Sequence, residues 1–402
     1  MNHREFQSRE VLFGLGRQQQ GPWRKIWLGT VAVFLSCCLG ALVLEGLFRL
    51  LPVNNGLRGL SVDEQNPVFR FTPHRESVYS RGWNFSIVNH VRTNNYGFIN
   101  DHDYDPALTT PLLAVIGDSF VEAVMVPFPQ TGVARLADAV GTAGRVYGFG
   151  TSGSSLSQYL AYARYVRDTF HPAALTVVIV GNDFDESLRK YKNEPGLHYF
   201  AESPGGTLTL TRLDRPVPWW RDLLGSSSLG MYLYVNLEIR EVWKRFAYRP
   251  GQSVISRPRF VGNTAAEATP ERVADSDRVI EAFLRQLPEM AGLPVSRIAL
   301  VVDAPRPELY DEHALTAVSD SYFVIMRTHL INQARAAGFE VLDMQPALIA
   351  DYRERQLTFE FPDDNHWNGI GHEVFAEMVR GSKVYRDTFG SRQPRLQSGN
   401  WQ

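Results

Sequence analysis

Four short blocks of this chain carry residue types suited to acyl chemistry. The apolar run Leu113-Ala114-Val115-Ile116 ends in Gly117-Asp118-Ser119-Phe120. A serine at a strand tip, leading into a helix, presents its hydroxyl and has a helix N-terminus at hand to stabilise negative charge. Alone this triplet says little, because Asp and Ser are ordinary turn and N-cap residues. The second block is Gly150-Thr151-Ser152-Gly153, where glycine lets backbone N–H groups approach a ligand closely. The third, Gly181-Asn182-Asp183, places an amide donor after another apolar run. The fourth is Asp363-Asp364-Asn365-His366. An Asp three residues before a His can fold back within one turn and hold the imidazole Nδ1–H, which leaves the other ring nitrogen to take the serine proton. This spacing points to Asp363 as the orienting carboxylate, with Asp364 capping the next helix or facing solvent.

The surrounding pattern supplies elements to position these blocks. Apolar runs at 112–116, 146–149, 175–180, 298–302 and 339–342 alternate with helical stretches near 130–141, 155–170, 272–291, 315–337 and 369–380. Strands alternating with helices predict parallel βαβ units with helices on both sheet faces. Active groups in such sheets collect beyond the carboxyl ends of the strands. Residues 53–110 read as a β-rich lead-in, with a short strand at 86–92 followed by a turn at Asn94-Asn95-Tyr96-Gly97-Phe98. The stretch 184–271 breaks the rhythm and reads as an insertion over the active face. Within it Trp219 and Trp220 are expected to anchor the insertion, with stacking on a sugar as the alternative.

Near the N-terminus Ile26 to Leu44 contains no charged residue, and it is long enough to cross a bilayer core. Arg4, Arg9, Arg17, Arg24 and Lys25 precede it, and Trp23 and Trp27 sit where an interfacial belt would lie. The positive-inside rule then keeps the N-terminus cytoplasmic and everything after Pro52 outside. A cleaved signal peptide or a lipidated cysteine fits less well. The apolar run is long for a signal, and Phe34-Leu35-Ser36-Cys37 lies inside it.

Composition narrows the remaining options. Lys and Arg total 41 against 43 Asp and Glu, a net charge of −2 over 402 residues, so no field recruits nucleic acid. Hydrophobic residues at 44% exclude a mostly disordered chain. The 2 cysteines, Cys37 and Cys38, are adjacent and cannot build a disulfide framework or a structural zinc site. Asp101-His102-Asp103-Tyr104-Asp105 reads as a solvated acidic turn rather than a metal site, and His372 as structural.

The four ordered blocks resemble those of the SGNH (GDSL-type) hydrolase superfamily, over roughly residues 111–385 with the insertion set aside. Thr93-Asn94-Asn95-Tyr96-Gly97-Phe98 also looks like the Asn-x-x-Gly-Phe segment of many membrane-anchored bacterial members. The resemblance implies a flavodoxin-like three-layer αβα sandwich with a parallel sheet, preceded by one transmembrane helix. It implies Ser119 as nucleophile, His366 as general base and Asp363 as its orienter. The oxyanion hole would be the backbone N–H of Ser119 and Gly153 with the side-chain amide of Asn182; no cofactor or metal is needed. The second block departs from the family pattern, with Tyr147 and Gly148 where an Asn often stands. The expected organisation is a cytoplasmic tail 1–25, a transmembrane helix 26–51, the lead-in 53–110, a hydrolase domain 111–389 with insertion 184–271, and a loose tail 390–402. The implied protein is a serine esterase of the bacterial inner membrane with a periplasmic catalytic domain. It would hydrolyse small acyl esters, O-acetyl above all, on envelope or exported polysaccharide. An O-acyltransferase using the same residues, or a non-catalytic envelope scaffold, are the alternatives.

Overall fold

The computed structural model describes residues 22–217, 225–239 and 259–390. The chain divides into two compact units, Met1–Leu51 and Pro52–Gln402. In the first, one helix spans Pro22–Phe48, and its Trp23–Phe48 portion is long and apolar enough to cross a membrane, with none of its most apolar window buried. Arg4, Arg9 and Arg17, which weigh in the expected orientation, lie outside the described residues.

The second unit is built on a five-stranded sheet: β1 (Leu112–Gly117), β2 (Arg145–Gly150), β3 (Ala174–Ile179), β4 (Ile298–Val302) and β5 (Glu340–Asp343). The spatial order is β5-β4-β3-β1-β2 and every pairing is parallel. That is the flavodoxin-like order, in which the sheet reverses direction between β1 and β3 and leaves a crevice at their carboxyl ends. Every residue of β1 and β3 is buried, which is why these strands read as continuous apolar runs rather than alternating ones.

The two-residue period of a strand still sorts side chains between two cores. Leu112, Ala114 and Ile116 of β1, with Leu175, Val177 and Ile179 of β3, enter one core with helices Leu156–Phe170, Pro270–Ala291 and Tyr322–Ala336. Leu113 and Val115, with Ala174 and Val178, enter the other with helices Gly132–Val140, Met344–Arg355 and Gly369–Gly381. The result is the three-layer αβα sandwich expected from the sequence.

Two helical expectations shift. The stretch anticipated as one helix over 315–337 is a short helix Glu312–Thr316 followed by Tyr322–Ala336. Helix Met344–Arg355 was not anticipated. Only Met344 and Leu348 are buried on it, so its sequence carries little apolar periodicity.

The lead-in forms an antiparallel hairpin of Glu76–Arg81 and Ile87–Arg92. Asn89 fastens it to the segment after the Ser119 turn, its Nδ2 donating to the carbonyls of Val124 at 2.9 Å and Val126 at 2.8 Å. Gly97 sits at φ +79°, and a Cβ there would come within 2.0 Å of the Phe71 carbonyl oxygen, so only glycine fits this turn. The insertion contributes a hairpin His198–Glu202/Leu208–Arg212 and a small one, Phe260–Val261/Thr264–Ala265. Trp219 and Trp220 lie outside the described residues.

Candidate active site

Three neighbouring strands deliver three of the blocks to one edge of the sheet. At the end of β1, Asp118 caps the turn that follows, its Oδ1 accepting from Phe120 N at 2.9 Å. Ser119 opens a single helical turn, Ser119–Glu122. At the end of β2, Gly150 packs so closely that a Cβ would lie 2.7 Å from the Asp118 carbonyl oxygen and 2.9 Å from Glu122 N. Glycine at 150 therefore lets the second block lie directly against the serine turn. Gly153 follows in the left-handed region at φ +82°. After β3 comes Asn182.

His366 arrives from the other side. Its Nε2 lies 2.8 Å from Ser119 Oγ, and its Nδ1 meets Asp364 Oδ1. The structure thus replaces Asp363 with Asp364 as the carboxylate on the imidazole. Asp363 is exposed, whereas Asp364 is 5% exposed. The reason is local geometry. Asp364–Trp367 is not the first turn of a helix but a strand paired with Glu360–Phe361, and the helix begins only at Gly369, capped by Asn368. In extended backbone, residues two apart share a face, so 364 and 366 point together and 363 points away.

Asp364 is held in turn by Arg81 of the lead-in hairpin, whose Nη1 lies 2.5 Å from Asp364 Oδ2. Burial pushes the Asp364 carboxyl up, but the hydrogen bond and charge of His366, then the charge of Arg81, bring it below the usual carboxylate value. It therefore faces Nδ1 as an anion. The Phe120 ring lies against the imidazole with centroids 4.8 Å apart. Next to His366, Trp367 is buried and its Nε1 donates to Asp303 Oδ1 at 3.0 Å. Nucleophile, imidazole and buried anion in hydrogen-bonded sequence can transfer the serine proton as an acyl carbon is attacked.

The other wall is held by a chain of polar contacts. Asn182 Nδ2 donates to Glu186 Oε2 at 3.1 Å, and Lys192 Nζ bridges Glu186 Oε2 at 2.5 Å and the Gly153 carbonyl at 3.0 Å. The loops carrying Gly153 and Asn182 are thereby tied together. The amide of Asn182 has a second N–H not used by Glu186. In the same block, Ser152 meets Glu122, which is 4% exposed and accepts from Ser152 N at 3.0 Å and from Ser152 Oγ. Burial pushes its carboxyl up to about 7, and burial likewise pushes Asp118 up to about 6.

His372 is structural. Its Nδ1 accepts from Gly132 N at 3.2 Å, and burial pushes it down to about 3, so it stays neutral. In the acidic turn, Asp103 pairs with Arg92 at 2.7 Å. Among the described residues no group of three or more His, Cys, Asp or Glu is arranged to hold a metal ion. A cavity of about 620 Å³ opens beside Asp364, lined by Arg81, Arg306, Phe361, Asp363 and Asn365 among others.

Sequence reasoning missed Arg81, Glu122 and the insertion residue Asn263. Glu122 left a trace, an acidic residue inside the apolar run Phe120-Val121-Glu122-Ala123-Val124. The other two left none, since each comes from a segment remote in sequence.

No family model matches the chain. No curated protein matches it either. Solved structures similar to it include a two-domain esterase active on acetylated mannans, at 11% identity and TM-score 0.36, covering 72% of this chain and 52% of that one. The chain therefore spans about half the length of that esterase. A lipase/acylhydrolase from Enterococcus faecalis aligns at 12% identity and TM-score 0.35, covering 72% of this chain and 100% of that one. A member of the lipolytic G-D-S-L family from Veillonella parvula aligns at 9% identity and TM-score 0.33, covering 68% and 99%.

Proposed function

We propose that this chain is a membrane-anchored serine esterase of the SGNH type, with Ser119 as nucleophile, His366 as general base and Asp364 as the orienting anion. The observation that carries the reading is the 2.8 Å contact between His366 Nε2 and Ser119 Oγ, with Nδ1 on a buried carboxylate. His366 takes the Ser119 proton as Oγ attacks the acyl carbonyl, and Asp364 stabilises the imidazolium that forms. The backbone N–H groups of Ser119 and Gly153 and the free N–H of Asn182 receive the oxyanion. The imidazolium then protonates the departing alcohol, and water repeats the cycle on the acyl-enzyme.

The substrate in this reading is a small acyl ester, with O-acetyl on an envelope or exported polysaccharide as the leading candidate. The apolar N-terminal helix supports anchoring, with the N-terminus cytoplasmic and the catalytic unit in the periplasm. The test is turnover by the detergent-solubilised full chain of p-nitrophenyl acetate, octanoate and an acetylated polysaccharide. Acetate turnover with loss on octanoate is expected. No turnover of any ester would overturn the esterase reading and favour the scaffold.

A further inference from the structure

A single two-residue turn of the insertion touches both walls of the site. The small hairpin Phe260–Val261/Thr264–Ala265 turns at Gly262-Asn263. Asn263 Nδ2 donates to Asn182 Oδ1, and the Gly262 carbonyl accepts from Asn365 Nδ2 at 2.9 Å. Asn182 carries the side-chain amide assigned to the oxyanion, and Asn365 immediately precedes His366. The fit is close. A Cβ at residue 181 would lie 2.7 Å from Asn263 Oδ1 and 3.1 Å from the Phe323 ring, so Gly181 is what admits the turn to this position.

Donation into Asn182 Oδ1 has a chemical consequence. A carboxamide can flip by 180°, exchanging its acceptor oxygen for its donor nitrogen. With Asn263 donating to the oxygen and Glu186 accepting from the nitrogen, only one orientation satisfies both partners. That orientation leaves the second N–H of Asn182 as a donor. An inverted amide would point an oxygen lone pair where negative charge develops, and it would repel the oxyanion.

Resting on the esterase reading above, we infer that Asn263 is a positioning residue for ester cleavage. It fixes the orientation of the Asn182 amide, while its neighbour Gly262 ties the same turn to the strand carrying His366. The insertion is thus a working part of the site, because its tip selects the productive amide rotamer.

The test uses the detergent-solubilised full chain and p-nitrophenyl acetate. Asn263→Ala lowers kcat by about tenfold to a hundredfold, the size expected of a misplaced catalytic group, with KM within about twofold. Asn263→Asp, whose carboxylate cannot donate to Asn182 Oδ1, is at least as slow. The double variant Asn182→Ala/Asn263→Ala is no slower than Asn182→Ala alone, since Asn263 acts only through that amide. Rate losses that multiply in the double variant contradict the inference, as does Asn263→Ala at full kcat. A fall in melting temperature with unchanged kcat identifies a purely structural turn and also contradicts it. A wild-type protein inert on every ester overturns the esterase reading itself, and this inference with it.

Discussion

The two walls of the site are held by different physics. On the histidine wall the contacts are ionic: the Asp364 side chain is 0% exposed between His366 and Arg81, and Asp303, paired with Arg306 at 2.6 Å, takes the Trp367 indole. On the opposite wall the loops of Gly153 and Asn182 are joined through the Glu186–Lys192 ion pair and Asn263, and the groups proposed to meet the substrate, the Asn182 amide and the Gly153 backbone, are neutral. In the proposed mechanism, charge on the first wall stabilises an imidazolium that exists only during turnover. Neutral donors on the second would meet an oxyanion without presenting a competing anion. The contrast teaches that removing a charge should cost the histidine wall most, whereas losing an amide dipole, and to a lesser degree misdirecting it, should cost the oxyanion wall most.

The largest effect separates two adjacent carboxylates. Asp364→Asn removes the anion facing Nδ1 and permits the wrong tautomer, so kcat is expected to fall by about 10⁴-fold. Asp363→Asn, at an exposed position, leaves kcat close to wild type. Steady-state kinetics on p-nitrophenyl acetate decides between them, and the reverse ranking would restore the Asp-x-x-His spacing read from sequence.

On the opposite wall, Asn182→Ala lowers kcat by about 10²- to 10³-fold with little change in KM, because the amide matters only as charge develops. An unchanged kcat with a lowered melting temperature would mean the amide merely satisfies its turn. A smaller effect belongs to Arg81. Asp364 sits below its usual value in the folded chain, so the stability it contributes is present above about pH 4 and is lost as pH falls through the folded value. Arg81→Met removes one of the two charges holding it down. The acid-side loss of melting temperature should then begin at higher pH than in the wild type, and an onset that stays put removes Arg81 from the account.

Least of all for the chemistry is Glu122, which acts on stability. Its folded value, near 7, lies above the ordinary 4.5. The folded state then binds the proton more tightly, and stability declines as pH rises from about 4.5 to about 7 before levelling off. Glu122→Gln should flatten that decline in melting temperature measured across this range. A decline that persists unchanged in the variant would assign it to another group.

Much of this is legible in the sequence alone. Strands buried on both faces announce themselves as apolar runs, and the blocks that end them sit where an α/β sheet gathers its chemistry. Ser119, Asn182 and His366 could be picked out for that reason, and the structure brings Ser119 and His366 into contact. Asp364 could not be chosen over Asp363, because the choice turns on whether 363–366 is helical or extended. Four residues carry no periodicity that decides it, and the pairing with Glu360–Phe361 is a tertiary fact. Arg81 and Asn263 were invisible for a related reason. Each reaches the site from about 80 to 280 residues away in sequence, by hydrogen bonds that local pattern does not encode.

The most direct measurement is covalent. Treating the full chain with a fluorophosphonate and mapping the adduct by mass spectrometry should place a single modification on Ser119. Labelling should be slowed strongly in His366→Ala and Asp364→Asn, be near normal in Asp363→Asn, and be lost in Ser119→Ala with the melting temperature retained. Labelling that persists in a folded Ser119→Ala protein, or that proceeds at the wild-type rate without His366, would contradict the account.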